Sequence, residues 1–237
     1  AGRTTGFILW CDSRGIVVDP PFDTQQYLLD TGALPFITSI LLTHVHGDHD
    51  AGVLRLLLSA GHRMTLHTTR TIHRSYLNKI KAITGQDLET LNCYDFNPVR
   101  VGEPTEIHNA IFEFEFSFHT IPTIGFQVAC GGHTISYSAD TKYDPPLFLD
   151  LVRRNVITPA REASLRMRGF DADLFIHEMG VPPSHTQAFS LNNLPMSIKK
   201  KMVVVHCSGV PETVSAPDGK QVKIQGIKKP AEGLENT

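Results

Sequence analysis

Three histidines and two aspartates stand together in the stretch LLTHVHGDHDAG, residues 41–52. His44 and His46 are two residues apart on an extended segment, so their side chains point to the same side. Asp48 and His49 follow where the chain turns toward a helix. Imidazole and carboxylate groups are ligands for Zn²⁺ and similar ions. Four such groups exceed what one open catalytic site takes from a single loop, and the spacing predicts two neighbouring metal ions.

Strands and helices alternate around this stretch and must position it. Apolar runs on either side of the turn DSRG predict a hairpin, and SILLT predicts a buried strand that ends on the motif. TIHRSYLNKIKAITG predicts a helix that ends at Gly85. We expect one face of this helix to carry four apolar residues, Ile72, Tyr76, Ile80 and Ile83. The alternating run IFEFEFSFH predicts a strand. We expect one face of this strand to carry Phe112, Phe114, Phe116 and Phe118.

The order of these elements predicts an α/β protein. Hairpins come first in each half, and the helices fall between β-rich segments, which is typical of a four-layer αββα sandwich with the helices outside. No linker divides the chain, so we expect one domain over residues 1–237 with a turn-rich tail at 211–237. The first residue is not methionine, and the chain can be a piece of a longer protein.

The HxHxDH motif, one earlier position and three later positions resemble the metallo-β-lactamase superfamily. Asp19 matches the family's first motif, an aspartate that braces the metal loop. The other matches are His119, Asp140 and His206, each at or just past the end of a predicted strand. The resemblance implies a four-layer metallo-β-lactamase fold with two divalent ions, Zn²⁺ being favoured over Mn²⁺ or Fe. It implies one ion on His44, His46 and His119. It implies a second ion on Asp48, His49 and His206, with Asp140 bridging both.

Within the superfamily, the chain is most similar to ribonuclease Z and related phosphodiesterases. THVHGDHDAGVL, HTIPTIGFQV and YSADT carry this likeness, and ADLFIHE and SHT add shorter matches. The likeness implies that a metal-bridging hydroxide attacks the substrate and that Asp48 orients it. It implies that His177, oriented by Glu178, protonates the leaving oxygen, with His185 as the alternative. His-Glu-Met-Gly replaces the family's His-Glu-Ala-Thr, which puts the geometry around His177 in question.

Composition narrows the expected partners. The formal net charge is −2, and no glycine-rich basic arm stands between His67 and His119, which disfavours a long RNA substrate. The densest basic run, IKKKM at 198–202, indicates a solvated surface. Four scattered cysteines favour a reducing cytoplasm over a disulfide framework. No apolar run reaches membrane-spanning length, so we expect no membrane partner. A homodimer stays open.

Three functions remain from the sequence. The first is a dinuclear-metal phosphodiesterase that acts on a small or short phosphodiester, of the ribonuclease Z or cyclic-nucleotide type. The second is another hydrolase of the same fold, such as a thioesterase, lactonase or sulfatase, because substrate loops rather than the metal loop decide the substrate. The third is a non-catalytic sensory module. The seven expected ligands argue against a decayed site and favour an enzyme.

Overall fold

The computed structural model describes residues 6–207, 209–216 and 218–227. The expected tail therefore lies partly outside the described residues, from 228 onward. The chain divides into two compact units. We name the N-terminal unit for residues 6–115 with 121–124, and the C-terminal unit for 116–120 with the described residues from 125 onward. The expectation of a single domain stays a prediction.

A five-stranded sheet with the order β1-β2-β3-β4-β5 forms the centre of the N-terminal unit. Its strands are β1 (Phe7–Cys11), β2 (Arg14–Val18), β3 (Ile37–Leu41), β4 (Met64–Thr68) and β5 (Tyr94–Pro98). β1 and β2 pair antiparallel as the expected hairpin, and the other neighbours pair parallel. β3 is buried except at Thr38, since its Ile and Leu side chains enter the core, and it leads directly into the ligand motif.

Helices connect these strands. They are α1 (Thr24–Asp30), α2 (Gly47–Asp50), α3 (Val53–Ser59) and α4 (Arg70–Thr84), with 3-10 turns at Leu34–Phe36 and Leu88–Leu91. The Thr69 side chain accepts a hydrogen bond from the Ile72 N–H and starts α4. α4 ends at Gly85, whose positive φ suits glycine.

The apolar face expected for α4 is correct except at its end. Ile72, Tyr76 and Ile80 are buried, but Ile83 exposes 70% of its area. Ile83 lies in the last turn of the helix, one residue before its end at Thr84. The 3.6-residue pattern predicts which side a residue faces, but not how far along the helix the neighbouring core extends.

The phenylalanine-rich strand is shorter than its sequence pattern. β6 (Thr105–Ile107) and β7 (Ala110–Phe116) pair antiparallel, and Phe112 and Phe114 are fully buried as expected. Phe116 is the last residue of β7 and exposes 46% of its area, and Phe118 lies beyond the strand. The expectation that one face of this strand carries all four rings is therefore wrong for Phe118, and at Phe116 the same face is exposed.

The C-terminal unit contains strands in the order β11-β10-β9-β8. Its elements are β8 (Ile124–Cys130), β9 (His133–Tyr137), α5 (Pro145–Arg153), α6 (Pro159–Met167), β10 (Leu174–Glu178), α7 (Ala188–Asn192), α8 (Met196–Lys199), β11 (Met202–Val205), β12 (Thr213–Ser215) and β13 (Gln221–Lys223). β8 and β9 form the expected hairpin, whereas β10 pairs parallel with both β9 and β11. A core of seven buried residues includes Phe175, Leu191 and Val204.

The basic run at 198–202 is not uniformly solvated. Lys199 is 5% exposed, and its ammonium group donates to the Asn192 carbonyl at the end of α7. Lys201 donates to the Phe170 carbonyl. Both ammonium groups therefore donate hydrogen bonds to carbonyl groups of the C-terminal unit. The prediction that the whole basic run is a solvated surface is wrong for these two lysines. All four cysteines are free thiols. Among the helices of the described residues, none is long and apolar enough to cross a bilayer.

Candidate metal centre

The segment between β3 and α3 brings together the four expected ligands of the N-terminal unit. His44 and His49 are fully buried, and His46 and Asp48 are partly exposed. The His44 ring lies 4.8 Å from the His46 ring and 4.2 Å from the His49 ring, measured between centroids. Asp48 Oδ2 is 3.7 Å from His49 Nε2. The spacing of the motif therefore does concentrate these donors.

Asp19, which follows β2, fixes two of these imidazole rings. Its Oδ1 accepts the Thr43 N–H at 2.8 Å, and its Oδ2 accepts the Thr43 hydroxyl at 2.6 Å and His49 Nδ1 at 3.1 Å. Because the Thr43 hydroxyl donates to Asp19, it can accept from His44 Nδ1 at 3.0 Å. Both rings then carry their proton on Nδ1, which leaves Nε2 as the ligand atom. Asp19 is thus the brace that the resemblance implies, and Thr43 was missed because hydroxyl residues are common beside any motif.

The C-terminal unit gathers three histidines around one buried carboxylate. Asp140 is 1% exposed and follows β9. Its Oδ2 lies 3.5 Å from His206 Nε2, 3.7 Å from His185 Nδ1 and 3.9 Å from His119 Nε2. The three ligands expected in this unit, His119, Asp140 and His206, therefore lie together, and His185 joins them.

Local hydrogen bonds tie the loop that carries His119 to the loop that carries Asp140. The Ser117 hydroxyl donates to the Ser138 carbonyl at 2.7 Å. The Phe118 N–H donates to the Thr141 hydroxyl at 3.1 Å, and the Lys142 N–H donates to the Phe118 carbonyl at 2.8 Å. These bonds join chain segments more than 20 residues apart, and no local sequence pattern predicts them.

Glu178, the last residue of β10, contacts His185. The Glu178 carboxylate is fully buried, and its Oε1 accepts the Thr186 N–H at 2.7 Å and the Thr141 N–H at 3.3 Å. Its Oε2 lies 3.4 Å from His185 Nδ1. Burial raises the pKa of the Glu178 carboxyl, and its hydrogen bonds with His185 and Thr186 act in the opposite direction. Glu178 is therefore placed to orient His185 beside Asp140.

His177 lies on the other face of β10, because adjacent strand residues point to opposite sides. Its ring lines a small cavity with Tyr143, Phe148 and Phe175. His177 Nδ1 donates to the Glu178 backbone carbonyl at 2.6 Å, since a carbonyl can only accept. Burial lowers the pKa of His177 to about 4. The sequence predicted that the Glu178 carboxylate orients His177. In the structure this carboxylate instead lies beside His185.

Both units carry donor sets that fit divalent metal ions. His44, His46, Asp48 and His49 lie together in the N-terminal unit, and candidate ligand atoms of Asp140, His185 and His206 lie within 4.8 Å of one another in the C-terminal unit. Imidazole nitrogen and carboxylate oxygen suit Zn²⁺, Mn²⁺ and Fe, and the absence of thiolate ligands from these groups gives no preference for a softer ion.

Comparison with known proteins decides the family. A family profile described as Anti-Pycsar protein Apyc1 matches residues 4–228. The chain belongs to this family. Two relatives of the chain come from Dictyostelium discoideum. The chain is 44% identical to cAMP/cGMP-dependent 3′,5′-cAMP/cGMP phosphodiesterase B over 99% of its own length and 21% of that protein. It is 38% identical to cGMP-dependent 3′,5′-cGMP phosphodiesterase A over 94% of the chain and 26% of that protein.

Solved structures show the fold of this Apyc1 family member. The metallo-beta-lactamase fold protein YhfI from Bacillus subtilis matches with a TM-score of 0.60 and 16% identity, over 86% of the chain and 78% of that protein. The short form of human tRNase Z matches with a TM-score of 0.59 and 17% identity, over 86% and 85%. The expected α/β class and metallo-β-lactamase fold are confirmed. The chain spans about a fifth to a quarter of the Dictyostelium relatives.

Proposed function

We propose that the chain is a metal-dependent hydrolase that cleaves the phosphodiester ring of 3′,5′-cyclic nucleotides. The observation that carries this proposal is the 44% identity, over 99% of the chain, to a cyclic-nucleotide phosphodiesterase. The second relative, 38% identical, bears a name of the same kind. Both relatives are far longer than this chain, so the proposal concerns the activity of this chain alone.

We assign the metal ligands as the superfamily resemblance implies them. His44, His46 and His119 would hold one ion, Asp48, His49 and His206 would hold the other, and Asp140 would serve both. Support comes from the donor groups within each unit, because His44 and His49 lie together in one and Asp140 and His206 in the other. We propose Zn²⁺ as the ion, because nitrogen-rich sites favour it over Mn²⁺.

The chain's own residues have defined roles in this proposal. When bound, a divalent pair supplies Lewis-acid activation of water and offsets the negative charge that develops on the phosphate. Asp48 accepts a hydrogen bond from the attacking water and orients it. His185, held by the buried Glu178 carboxylate, gives a proton to the leaving ribose oxygen. Its position beside Asp140 supports this role over that of His177, whose ring lines a buried cavity on the opposite face of β10.

The proton-donor assignment has a matched test. His185→Gln and His177→Gln each replace one imidazole in the same unit. We expect His185→Gln to lower kcat by about 10²- to 10⁴-fold, the usual contribution of general acid–base catalysis, with metal content unchanged. We expect His177→Gln to leave kcat within a few-fold of the wild type. The assignment is wrong if His177→Gln gives the large loss and His185→Gln does not.

Assembly and compartment are part of the proposal. We propose a homodimer, in which Trp10, Phe22 and Phe36, each at least half exposed in the single chain, are the apolar side chains that an interface would cover. Light scattering on the purified chain tests it. We propose the cytoplasm as the compartment, supported by four free thiols.

Hydrolysis assays test the function. The metal-loaded chain is incubated with purine and pyrimidine 3′,5′-cyclic nucleotides, and nucleoside monophosphates are separated by chromatography. The double variant with His46→Ala and Asp140→Ala serves as the metal-poor control. We expect turnover by the wild type and a loss of both metal and turnover in the control. Hydrolysis of a thioester, lactone or sulfate ester without any cyclic nucleotide supports a different hydrolase. Metal binding without hydrolysis of any of these substrates supports a sensory module.

A further inference from the structure

Lys79 on α4 makes three contacts with the ligand segment. Its ammonium group donates to the Val45 carbonyl at 3.0 Å and to Asp50 Oδ1 and Oδ2 at 2.7 Å each. An ammonium group has three N–H donors, so these three acceptors match its capacity. Val45 separates His44 from His46 in the sequence, and Asp50 directly follows His49. One side chain therefore holds both ends of the HxHxDH motif.

The carboxylate end of these contacts is shielded from water. The Asp50 side chain is 3% exposed, and the Lys79 side chain is 30% exposed. A buried carboxylate that loses its cation carries a large desolvation cost, so we expect the segment around Asp50 to rearrange when Lys79 is removed. The pair Lys81–Asp87, of which Lys81 lies on the same helix, differs because its side chains are 62% and 43% exposed. Exposed pairs of this kind contribute little to stability.

From this geometry we propose that Lys79 is a positioning residue of the metal centre, which acts through Val45 and Asp50 on the imidazoles between them. The proposal rests on the proposed function for its catalytic consequence, but not for its effect on metal binding. Lys79 touches neither ligand atoms nor substrate in this role. It sets the backbone path that brings the donors of the motif together, as a residue outside the ligand set commonly does.

The loss of the Lys79 charge and the loss of its positioning contacts should have opposite effects on metal affinity. Lys79→Met leaves the Asp50 carboxylate without its cation near the ligands, and by electrostatics alone this additional negative charge would strengthen the binding of a divalent ion. Loss of the geometry would weaken it. A fall in metal affinity in Lys79→Met therefore identifies positioning as the dominant effect.

The test measures metal affinity without substrate. Wild type, Lys79→Met and the matched control Lys81→Met are titrated with Co²⁺ against a competing chelator, and the visible Co²⁺ spectrum reports coordination. We expect Lys79→Met to bind Co²⁺ about 10- to 100-fold more weakly, with an altered spectrum. We expect Lys81→Met to bind within twofold of the wild type. Lys79→Arg retains the charge and donors, and we expect it to recover part of the affinity.

Two further measurements separate the outcomes. If Lys79→Met does not fold by circular dichroism, the polar variant Lys79→Gln is compared with Lys81→Gln, and we expect weaker Co²⁺ binding only in Lys79→Gln. Equal affinity in each variant and its control overturns the role of Lys79, whatever the wild type hydrolyses. Failure of the wild type to hydrolyse cyclic nucleotides, with reduced Co²⁺ affinity in Lys79→Met, overturns the proposed function and leaves the role of Lys79 intact.

Discussion

A buried histidine network in the N-terminal unit should make folding stability depend on pH. His67 on β4 is 4% exposed, and its Nε2 lies 3.2 Å from the Ser39 hydroxyl. The same hydroxyl lies 3.0 Å from Nε2 of His108, which also contacts Thr38 at 2.8 Å. Burial, with a smaller effect of the nearby His108, lowers the pKa of His67 to about 4. The ring is therefore neutral in the folded protein at neutral pH.

The direction and size of the effect follow from proton linkage. The folded pKa of His67, about 4, lies below the reference value of 6.5, so the unfolded chain takes up the proton first. The contribution of His67 to the free energy of unfolding is complete above pH 6.5 and is lost as the pH falls toward 4. For these pKa values, the loss is about 2 kcal/mol at pH 5 and about 3 kcal/mol well below pH 4.

Urea unfolding followed by circular dichroism at pH 8 and pH 5 measures this loss. Three proteins are compared: the wild type, His67→Gln and His133→Gln, whose His133 side chain is 83% exposed. We expect the free energy of unfolding of wild type and His133→Gln to fall by about 2 kcal/mol more than that of His67→Gln. Metal release and the protonation of His177 change the free energy of unfolding of all three proteins equally, so both effects cancel in the comparison. An equal fall in His67→Gln and wild type would refute the reasoning.

Two further predictions concern the supports of the candidate site. Asp19→Asn keeps the shape of the side chain but removes its charge, and we expect metal affinity to fall about 10- to 100-fold, measured by chelator competition; an unchanged affinity would remove Asp19 from the network. Gly125→Ala would place a Cβ atom 2.4 Å from the Tyr137 carbonyl oxygen. We expect a lower midpoint of thermal unfolding, and a wild-type midpoint would mean that β8 can shift.

Local patterns predicted most of the elements, because alternation and helical periodicity depend on near neighbours in the sequence. The hairpin of β1 and β2, the helix α4 and the burial of Phe112 and Phe114 are confirmed for this reason. Element ends were less predictable. Phe116 and Ile83 continue the pattern but are exposed, because the end of a core depends on which distant segments pack there.

The motif proposed to bind metal could be found from sequence because its donors are consecutive or nearly so. The proposed proton donor could not, since two histidines were available and only the path of the chain distinguishes them. His177 and Glu178 are adjacent in the sequence, yet the strand turns them to opposite faces, and Glu178 instead contacts His185. Sequence proximity in a strand is thus weak support for a pair of side chains that must touch.

The ligand segment is held from two directions by residues that do not belong to the expected ligand set. Asp19 fixes the tautomers of His44 and His49 through their Nδ1 atoms, and Lys79 fixes the backbone beside them. Asp19 determines which ring nitrogen can bind a metal, and Lys79 determines where that nitrogen lies. Because Asp19 interacts electrostatically with Asp50, the carboxylate that Lys79 holds, we expect a double-mutant cycle of Asp19→Asn and Lys79→Met to show coupling between their effects on metal affinity. A chain with the same motif can therefore differ in metal affinity without any change in a ligand.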